Sequence, residues 1–272
     1  MSDISTEKVS QPATTYLSVV IPAYNEEKRL PDTLADVIKY LSQQKYTSEI
    51  LVIDDGSKDR TIKVVEDAVG KANVDAGAFS GIKKIVAMKY LDGANHGKGY
   101  AVRYGMTNAV GKYRVFMDAD NSTSIDHVER FFPFFKEQDF DIVVGSRHLN
   151  ESDVEVHQAW YKEVAGDLGN MLIRAVAVRG IHDTQAGFKM FTADSAEKIF
   201  PKLTIDRWGF DVEMLAVAQK FGYKIKEAPI VWLNDPNSRV SASAYLEVLS
   251  EVFRVRMNLW RHIYDDKVNK TI

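Results

Sequence analysis

Glu49-Ile-Leu-Val-Ile-Asp-Asp-Gly-Ser57 decides the fold. An apolar, β-branched run stops abruptly at two carboxylates and a glycine. The run predicts a buried strand, and the acidic turn closes its carboxyl end. Ser57 or Asp59 is then placed to cap a helix carrying Ile62, Val65 and Ala68. The same unit recurs on either side. Upstream, residues 17–21 form an apolar run ending in Pro22, and Leu30, Leu34, Val37, Ile38 and Leu41 follow at helical spacing, with Asn25 available as a cap. Downstream, strands are expected at 84–88, 113–117 and 141–144, and helices from Gly97-Lys-Gly99 to Met106 and over 125–135. Strands separated by helical crossovers imply a doubly wound, mainly parallel α/β sheet with helices on both faces. Ligands then bind beyond the carboxyl ends of the strands. Asp54, Asp55, Asp118, Asp120 and Arg147 each stand directly after a strand, so one crevice should collect them.

The second half is less regular. Residues 151–157 suggest a polar, mobile loop, 160–178 a helix, 187–192 a short strand, 211–221 a helix, 224–232 a strand and 242–263 a long C-terminal helix. There is no internal repeat and no Pro-, Gly- or Ser-rich linker, so one continuous domain over 16–240 is expected. A disordered leader, 1–15, precedes it, and the amphipathic helix region, 241–272, follows.

Composition removes several function classes. The chain has 272 residues, 45% hydrophobic and 27% charged, with no cysteine. Thiolate nucleophiles, disulfides and cysteine zinc sites are excluded. A net charge of −3 gives no global field for nucleic acid. Residues 1–15 are polar, which suits neither a signal peptide nor an anchor, and no stretch reaches the ~18 apolar residues of a spanning helix. Membrane contact is therefore expected to be peripheral. The six histidines show no metal spacing and are expected to be structural or solvated.

The chemistry concentrates in a few motifs. In Asp118-Ala119-Asp120, two carboxylates straddle a small residue at a strand end, an arrangement suited to a hard divalent cation, Mg²⁺ or Mn²⁺. The Asp54-Asp55 turn offers acceptors to a base or ribose, and Pro22-Ala-Tyr24-Asn-Glu26 lines the same end of the sheet. Asn95-His-Gly-Lys98-Gly99 is a glycine-rich turn before a helix without P-loop spacing, so Lys98 reads either as a phosphate contact or as a solvated lysine. Arg147 and Arg239 are candidate phosphate clamps.

In order and spacing these motifs resemble family 2 glycosyltransferases of GT-A fold over about residues 17–257. Val20-Ile-Pro-Ala-Tyr-Asn-Glu26, Asp54-Asp-Gly-Ser-Lys-Asp-Arg-Thr61, Asp118-Ala-Asp120 and Gly145-Ser-Arg147 carry the likeness. Within that family the likeness is to the polyprenyl-phosphate transferases, the dolichyl-phosphate glucosyltransferases and mannose synthases. Asp183-Thr-Gln-Ala-Gly-Phe-Lys-Met-Phe191, Arg207-Trp-Gly-Phe-Asp-Val-Glu213 and Glu227-Ala-Pro-Ile230 look specifically like the glucosyltransferase branch. The resemblance implies a nucleotide-sugar donor, UDP-glucose first, and a polyprenyl phosphate acceptor. It places Asp55 on the base, Asp118 with Ala119 on the ribose or metal, Asp120 on the metal, Asp183 and Gln185 toward the sugar or acceptor, Asp211 and Glu213 near the sugar, and Ser238-Arg239 on phosphate. Asn121-Ser-Thr123 stands where mannose synthases usually carry Leu-Gln, which disfavours GDP-mannose. A phosphate acceptor needs no strong base, whereas a hydroxyl acceptor would call on Asp183 or Asp211. The alternatives are a transferase extending a saccharide, a nucleotidyltransferase, which would open with a glycine- and arginine-rich loop, and a non-catalytic nucleotide-sugar binder. The C-terminal helix, with Tyr245, Leu246, Leu249, Phe253, Met257 and Trp260 among Arg254, Arg256 and Arg261, either packs on protein or lies in a bilayer interface. The implied location is the cytoplasmic face of a membrane, peripherally.

Overall fold

The computed structural model describes residues 15–74, 82–89, 93–147, 149, 153–154, 177–233 and 242–265. The expected leader except for Thr15, the helix expected at 160–178 except for its last two residues, and Ser238 and Arg239 lie outside them. Thr15 itself is buried, and its carbonyl accepts from Lys112 N, so it belongs to the domain.

Strands β1 (Leu17–Ala23), β2 (Ser48–Asp54), β3 (Ile82–Lys89), β4 (Tyr113–Phe116), β5 (Ile142–Ser146), β7 (Lys189–Thr192) and β8 (Ile225–Pro229) form a seven-stranded sheet in the order β3-β2-β1-β4-β7-β5-β8. Every neighbouring pair is parallel except those made by β7, which runs antiparallel to both β4 and β5. Helices α1 (Leu30–Ser42), α2 (Thr61–Val74), α3 (Lys98–Asn108), α4 (His127–Glu137), α5 (Ala193–Ile199), α6 (Phe210–Lys220) and α7 (Ala242–Trp260) complete the described elements, with a single 3₁₀ turn at Phe200–Lys202.

The unbroken apolar strands follow from burial on both sides. In β1, Leu17, Val19 and Ile21 pack with Leu30, Leu34 and Val37 of α1 and Phe131 of α4, whereas Val20 faces the opposite core with α3. In β2, Ile50 and Val52 take the first core, and Leu51 and Ile53 the second. Fully buried side chains of this size stabilise the fold by roughly 1.5–3 kcal/mol each. The second core also holds α5, α6 and Val248, Val252 and Val255 of α7.

Several expectations need correction. The strand expected at 224–232 is two strands in two sheets. Pro229 ends β8 because it has no N–H for the ladder, and Val231–Trp232 (β9) turns away to pair with β6 (Asp153–Val154). Part of the expected polar loop at 151–157 is thus a strand. The strand expected at 187–192 begins at Lys189 and reverses the sheet direction. The C-terminal helix stops at Trp260 rather than 263, and His262 just beyond it has φ 58°, incompatible with helix continuation. Asn25 does not cap α1, whose N-cap is Arg29. Asn25 has φ 56°, and its side chain accepts from the Lys58 N–H, joining the β1 and β2 turns. Of the two candidate caps for α2, Asp59 acts: its Oδ1 accepts from Thr61 N at 2.9 Å, whereas Ser57 Oγ accepts from Asn25 N.

Candidate active site

Strand order reverses between β1 and β4, so the crevice beyond their carboxyl ends is the place a doubly wound sheet reserves for ligands. The site is built on its two sides by different means.

On the β1–β4 side, backbone turns hold Asp55 and Asp120, and cations meet Glu26 and Asp118. Asp55 accepts from Asn95 Nδ2 at 2.9 Å and from the N–H groups of His96 and Gly97 at 2.8 Å each. Burial pushes its carboxyl up, and those N–H donors oppose the shift. The contacts draw the 95–97 turn onto β2 and start α3 at Lys98. Gly97 has φ 109°, and a Cβ there would meet the Asp206 carbonyl at 2.6 Å, so only glycine fits. Asp54 is also buried, and among the described residues its Oδ1 has no hydrogen-bond partner. A buried acceptor left unsatisfied is costly unless a ligand completes it. Pro22 lies within β1 opposite Ile53, and Tyr24 is partly exposed at the strand's end. Glu26 forks with Arg29, accepting from Nε at 2.7 Å and Nη2 at 2.5 Å. Arg29 Nη1 stands 3.6 Å from Asp120 Oδ2.

Asp118 Oδ1 lies 2.5 Å from Lys98 Nζ. Burial pulls Lys98 down, but Asp118, Asp211 and Asp120 outweigh it and hold the ammonium above its ordinary value. Asp118 lies flat against Gly187, where a Cβ would come within 1.9 Å of Oδ2. Asp120 Oδ1 accepts from Ser122 N at 3.0 Å, and the Ala119 carbonyl between the two acids is fixed by Thr33 Oγ1 at 2.7 Å.

On the β5–β7–β8 side, ion pairs between distant residues do the positioning. Arg147 forks onto Asp183, with Nε to Oδ2 at 2.8 Å and Nη2 to Oδ1 at 2.9 Å, and its own N–H also reaches Oδ2. The Trp232 ring lies 5.1 Å from the guanidinium carbon. Asp183 is fully buried, and Glu227 of β8 accepts from the N–H groups of His182 and Asp183, fixing the loop. Burial lowers Arg147, but Asp183 more than offsets it, with Asp118 and Asp211 adding to the effect. Asp211, in the first turn of α6, accepts from Lys189 Nζ at 2.5 Å. Burial pushes the Asp211 carboxyl up and the Lys189 ammonium down, against the attraction of the pair.

Lys98, Arg147 and Lys189 therefore share one field with Asp118, Asp120, Asp183 and Asp211. Of the sequence-predicted strand-end residues, Asp118, Asp120 and Arg147 come together in that field, Asp54 and Asp55 stand at the end of β2 beside β1, and Gln185 lies half-buried in the loop between Asp183 and Gly187. Glu213 does not join them. It is fully buried on another face of α6, where Thr204, Ile205 and Tyr264 donate to its carboxylate. His127 proves structural, with Nδ1 to the Ser124 carbonyl and Nε2 accepting from Val231 N. Lys189, Glu227 and Trp232 were not singled out as site residues. Lys189 had a signal: a lone lysine in the apolar run Phe188-Lys-Met-Phe191 needs a buried counter-charge.

Among the described residues no group of three His, Cys, Asp or Glu is disposed as a closed metal site, and no helix is long and apolar enough to cross a membrane.

Comparison with known proteins agrees with this geometry. Residues 18–200 match glycosyl transferase family 2. The dolichyl-phosphate β-glucosyltransferase of Dictyostelium discoideum is 36% identical over 260 residues, covering 90% of this chain and 76% of its own. The enzyme of that name from Homo sapiens is 32% identical over 271 residues, 94% and 81% of the two chains. Among solved structures, glucosyl-3-phosphoglycerate synthase from Mycobacterium tuberculosis, in complex with Mn²⁺, UDP-glucose and phosphoglyceric acid, superimposes with a TM-score of 0.61 at 17% identity over 94% of this chain and 82% of its own. Mannosyl-3-phosphoglycerate synthase from Rubrobacter xylanophilus gives 0.65 at 15% identity over 95% and 78%. The chain belongs to glycosyl transferase family 2, and its doubly wound sheet with an acidic crevice at the β1–β4 reversal is the GT-A fold of a glycosyltransferase.

Proposed function

We propose that the chain transfers glucose from UDP-glucose to a polyprenyl phosphate of the dolichyl type, with inversion at the anomeric carbon, working peripherally at the cytoplasmic face of a membrane. The names of its relatives supply the substrate class. The observation that carries the reading is the juxtaposition of an acidic strand end, Asp118 and Asp120, with the cations Lys98 and Arg147 in one crevice. Such a crevice suits a reaction with a phosphate on each side of the transferred sugar.

Asp118 and Asp120 fit a divalent cation, Mg²⁺ or Mn²⁺. They are hard oxygen ligands that already sit against cationic groups, and these ions commonly take one or two carboxylates and complete their shell with substrate phosphates. Bound there, the cation would neutralise charge on the leaving diphosphate. The unpartnered Asp54 Oδ1 is an acceptor for an N–H or O–H of the donor nucleoside. Arg147 uses two of its five side-chain N–H donors on Asp183, so the others remain for an acceptor phosphate. Asp183 is then a positioning residue for that arginine. A phosphate monoester is largely ionised at neutral pH, with a second pKa of about 6, so it attacks without a strong base. What the protein supplies is alignment and charge compensation.

A hydroxyl acceptor on a saccharide is the second reading, and one observation favours it: burial holds the Asp211 carboxyl above its ordinary range, as a general base requires. One assay separates the two. Labelled UDP-glucose is offered with a polyprenyl phosphate or with free saccharides, with Mn²⁺ and with chelator. The expected product is a chelator-sensitive glycolipid, with kcat/KM reduced about 10²–10³-fold by Asp120→Asn. Product with saccharides alone would overturn the lipid acceptor. Product with GDP-mannose alone would overturn the sugar.

A further inference from the structure

Helix α7 carries two apolar faces. Val248, Val252 and Val255 are buried in the second core, and Leu259 packs against it. Phe253, Met257 and Trp260 follow one another at four and three residues, so they form a separate stripe. That stripe is open to solvent: Phe253 is 59% exposed, Met257 44% and Trp260 74%, and Ile263 beyond the helix is 53% exposed. Arg254, Arg256 and Arg261 are exposed along its edges. From Phe253 to Ile263 there are three arginines and no acid, in a chain whose net charge is −3.

We propose that this stripe is the surface by which the protein seats on an anionic lipid surface, apolar side chains entering the headgroup boundary and arginines meeting lipid phosphates. The proposal rests on the polyprenyl-phosphate reading for the choice of occupant, and it adds which residues make the contact and how they join the site. Aromatic and aliphatic side chains flanked by arginine are the composition of helices that lie in a bilayer interface. Arginine stems lie along apolar surface while their heads stay at the phosphates. Charge decides between lipid and a second copy of the chain. A two-fold contact would bring the same three arginines against themselves, whereas an anionic leaflet offers the opposite charge.

The helix is rigidly joined to the crevice. Glu251 Oε2 accepts from Gly209 N at 2.6 Å, and Gly209 is the N-cap of α6, two residues before Asp211. A Cβ on Gly209 would meet the Glu251 Cβ at 2.6 Å, so the two elements touch directly. Beyond α7 the chain folds back, with Tyr264 fully buried and its hydroxyl donating to Glu213 Oε1 at 2.8 Å. A lipid phosphate held at the membrane is thereby presented to a site fixed in orientation to that membrane.

The test is co-sedimentation of the full chain with vesicles of phosphatidylcholine, with and without phosphatidylserine. The wild type is expected to partition onto the anionic vesicles and to be released by salt. Phe253→Ser with Trp260→Ser is expected to lower partitioning at least about tenfold, since each buries a large apolar side chain. Arg254→Gln with Arg256→Gln and Arg261→Gln is expected to remove the preference for anionic lipid. Both variants should keep the wild-type rate on a short, water-soluble polyprenyl phosphate and lose rate on a long-chain acceptor embedded in vesicles. Equal partitioning of wild type and both variants overturns the proposal, as does a wild-type dimer in solution that the serine variant converts to a monomer with no vesicle binding by either. Vesicle binding with these variant effects, but no transfer to any polyprenyl phosphate, sinks the acceptor assignment and leaves the surface standing.

Discussion

Asp55 and Asp211 are held in opposite ways. Asp55 sits at the end of a parallel strand and is satisfied mainly by the N–H groups of one neighbouring turn. Asp211 sits in the first turn of α6 and is paired with an ammonium from β7, buried in the middle of the sheet. The same contrast recurs on the two sides of the crevice, though not without exception: Asp118 at the β4 end meets Lys98, and Glu227 of β8 holds backbone N–H groups. Around β1, β2 and β4, acidic groups organise backbone: Asp55 the 95–97 turn, Asp59 the start of α2, Asp120 the Ser122 turn. Around β5, β7 and β8, acidic groups organise cations: Asp183 with Arg147, Asp211 with Lys189. Backbone donors are cheap to provide and tolerate replacement. A buried ion pair offers little net stability but is costly to break from one side.

The largest expected effect follows from that last point. Lys189→Met removes the cation and leaves Asp211 buried, unpaired and pushed toward its neutral form. Urea unfolding should show a loss of roughly 3–5 kcal/mol. Adding Asp211→Leu should recover most of that stability, since a neutral apolar pair replaces the ions. A single variant as stable as the wild type would break the comparison, because the core would then tolerate the Asp211 carboxylate of α6 without its ammonium partner.

The contrast also explains what was legible in the sequence. Strands β1 to β5 and the helices between them could be read because a run buried on both faces is unbroken, and a carboxylate turn marks the ends of β2 and β4, as in Ile53-Asp-Asp-Gly56 and Met117-Asp-Ala-Asp120. Asp118 and Asp120 announced themselves in the same way. The direction of β7 was not legible, because four residues from Lys189 to Thr192 carry no record of which way they run between β4 and β5. The short helix α5 went unread although it has a signal: Thr192 accepts from Ser195 N, and Asp194 occupies its first turn. Nothing local pairs Arg147 with Asp183 or Lys189 with Asp211. Those pairs are made by the fold, so Arg147, Asp183 and Asp211 could be nominated while the pairings, and Lys189 itself, could not.

Gly187 is where the two regions meet, and it gives the next effect in size. It belongs to the loop leading into β7, yet its Cα lies against Asp118 of the β4 end. Gly187→Ala drives the Asp118 carboxylate away from its place beside Lys98. The expected stability cost is about 1–3 kcal/mol, that of a small overpacking. Donor binding should suffer more selectively: titration calorimetry with UDP-glucose and Mn²⁺ should show a dissociation constant raised about tenfold or more, equivalent to ~1.4 kcal/mol. Unchanged donor affinity in a folded variant would mean that Asp118 can be moved without consequence, and the two sides of the crevice would then be energetically independent.

The smallest effect belongs to the cap of α2. Burial works to raise the Asp59 carboxyl, but the N–H and hydroxyl of Thr61 and the N–H of Glu27 outweigh it and hold the group below its ordinary value. A carboxyl lowered on folding contributes stability that is present above its unfolded pKa, about 3.9, and is lost as pH falls through the folded value. Asp59→Ala should therefore cost about 1 kcal/mol at neutral pH, the usual worth of a helix N-cap. The difference from wild type should shrink as the solution is acidified below the ordinary carboxylate range, because the protonated aspartic acid no longer serves as a charged acceptor. Urea midpoints for both proteins at neutral and acidic pH measure this directly. A loss at neutral pH as large as that of Lys189→Met would mean that a backbone-held carboxylate is as indispensable as an ion-paired one, and the division between the two regions would fail.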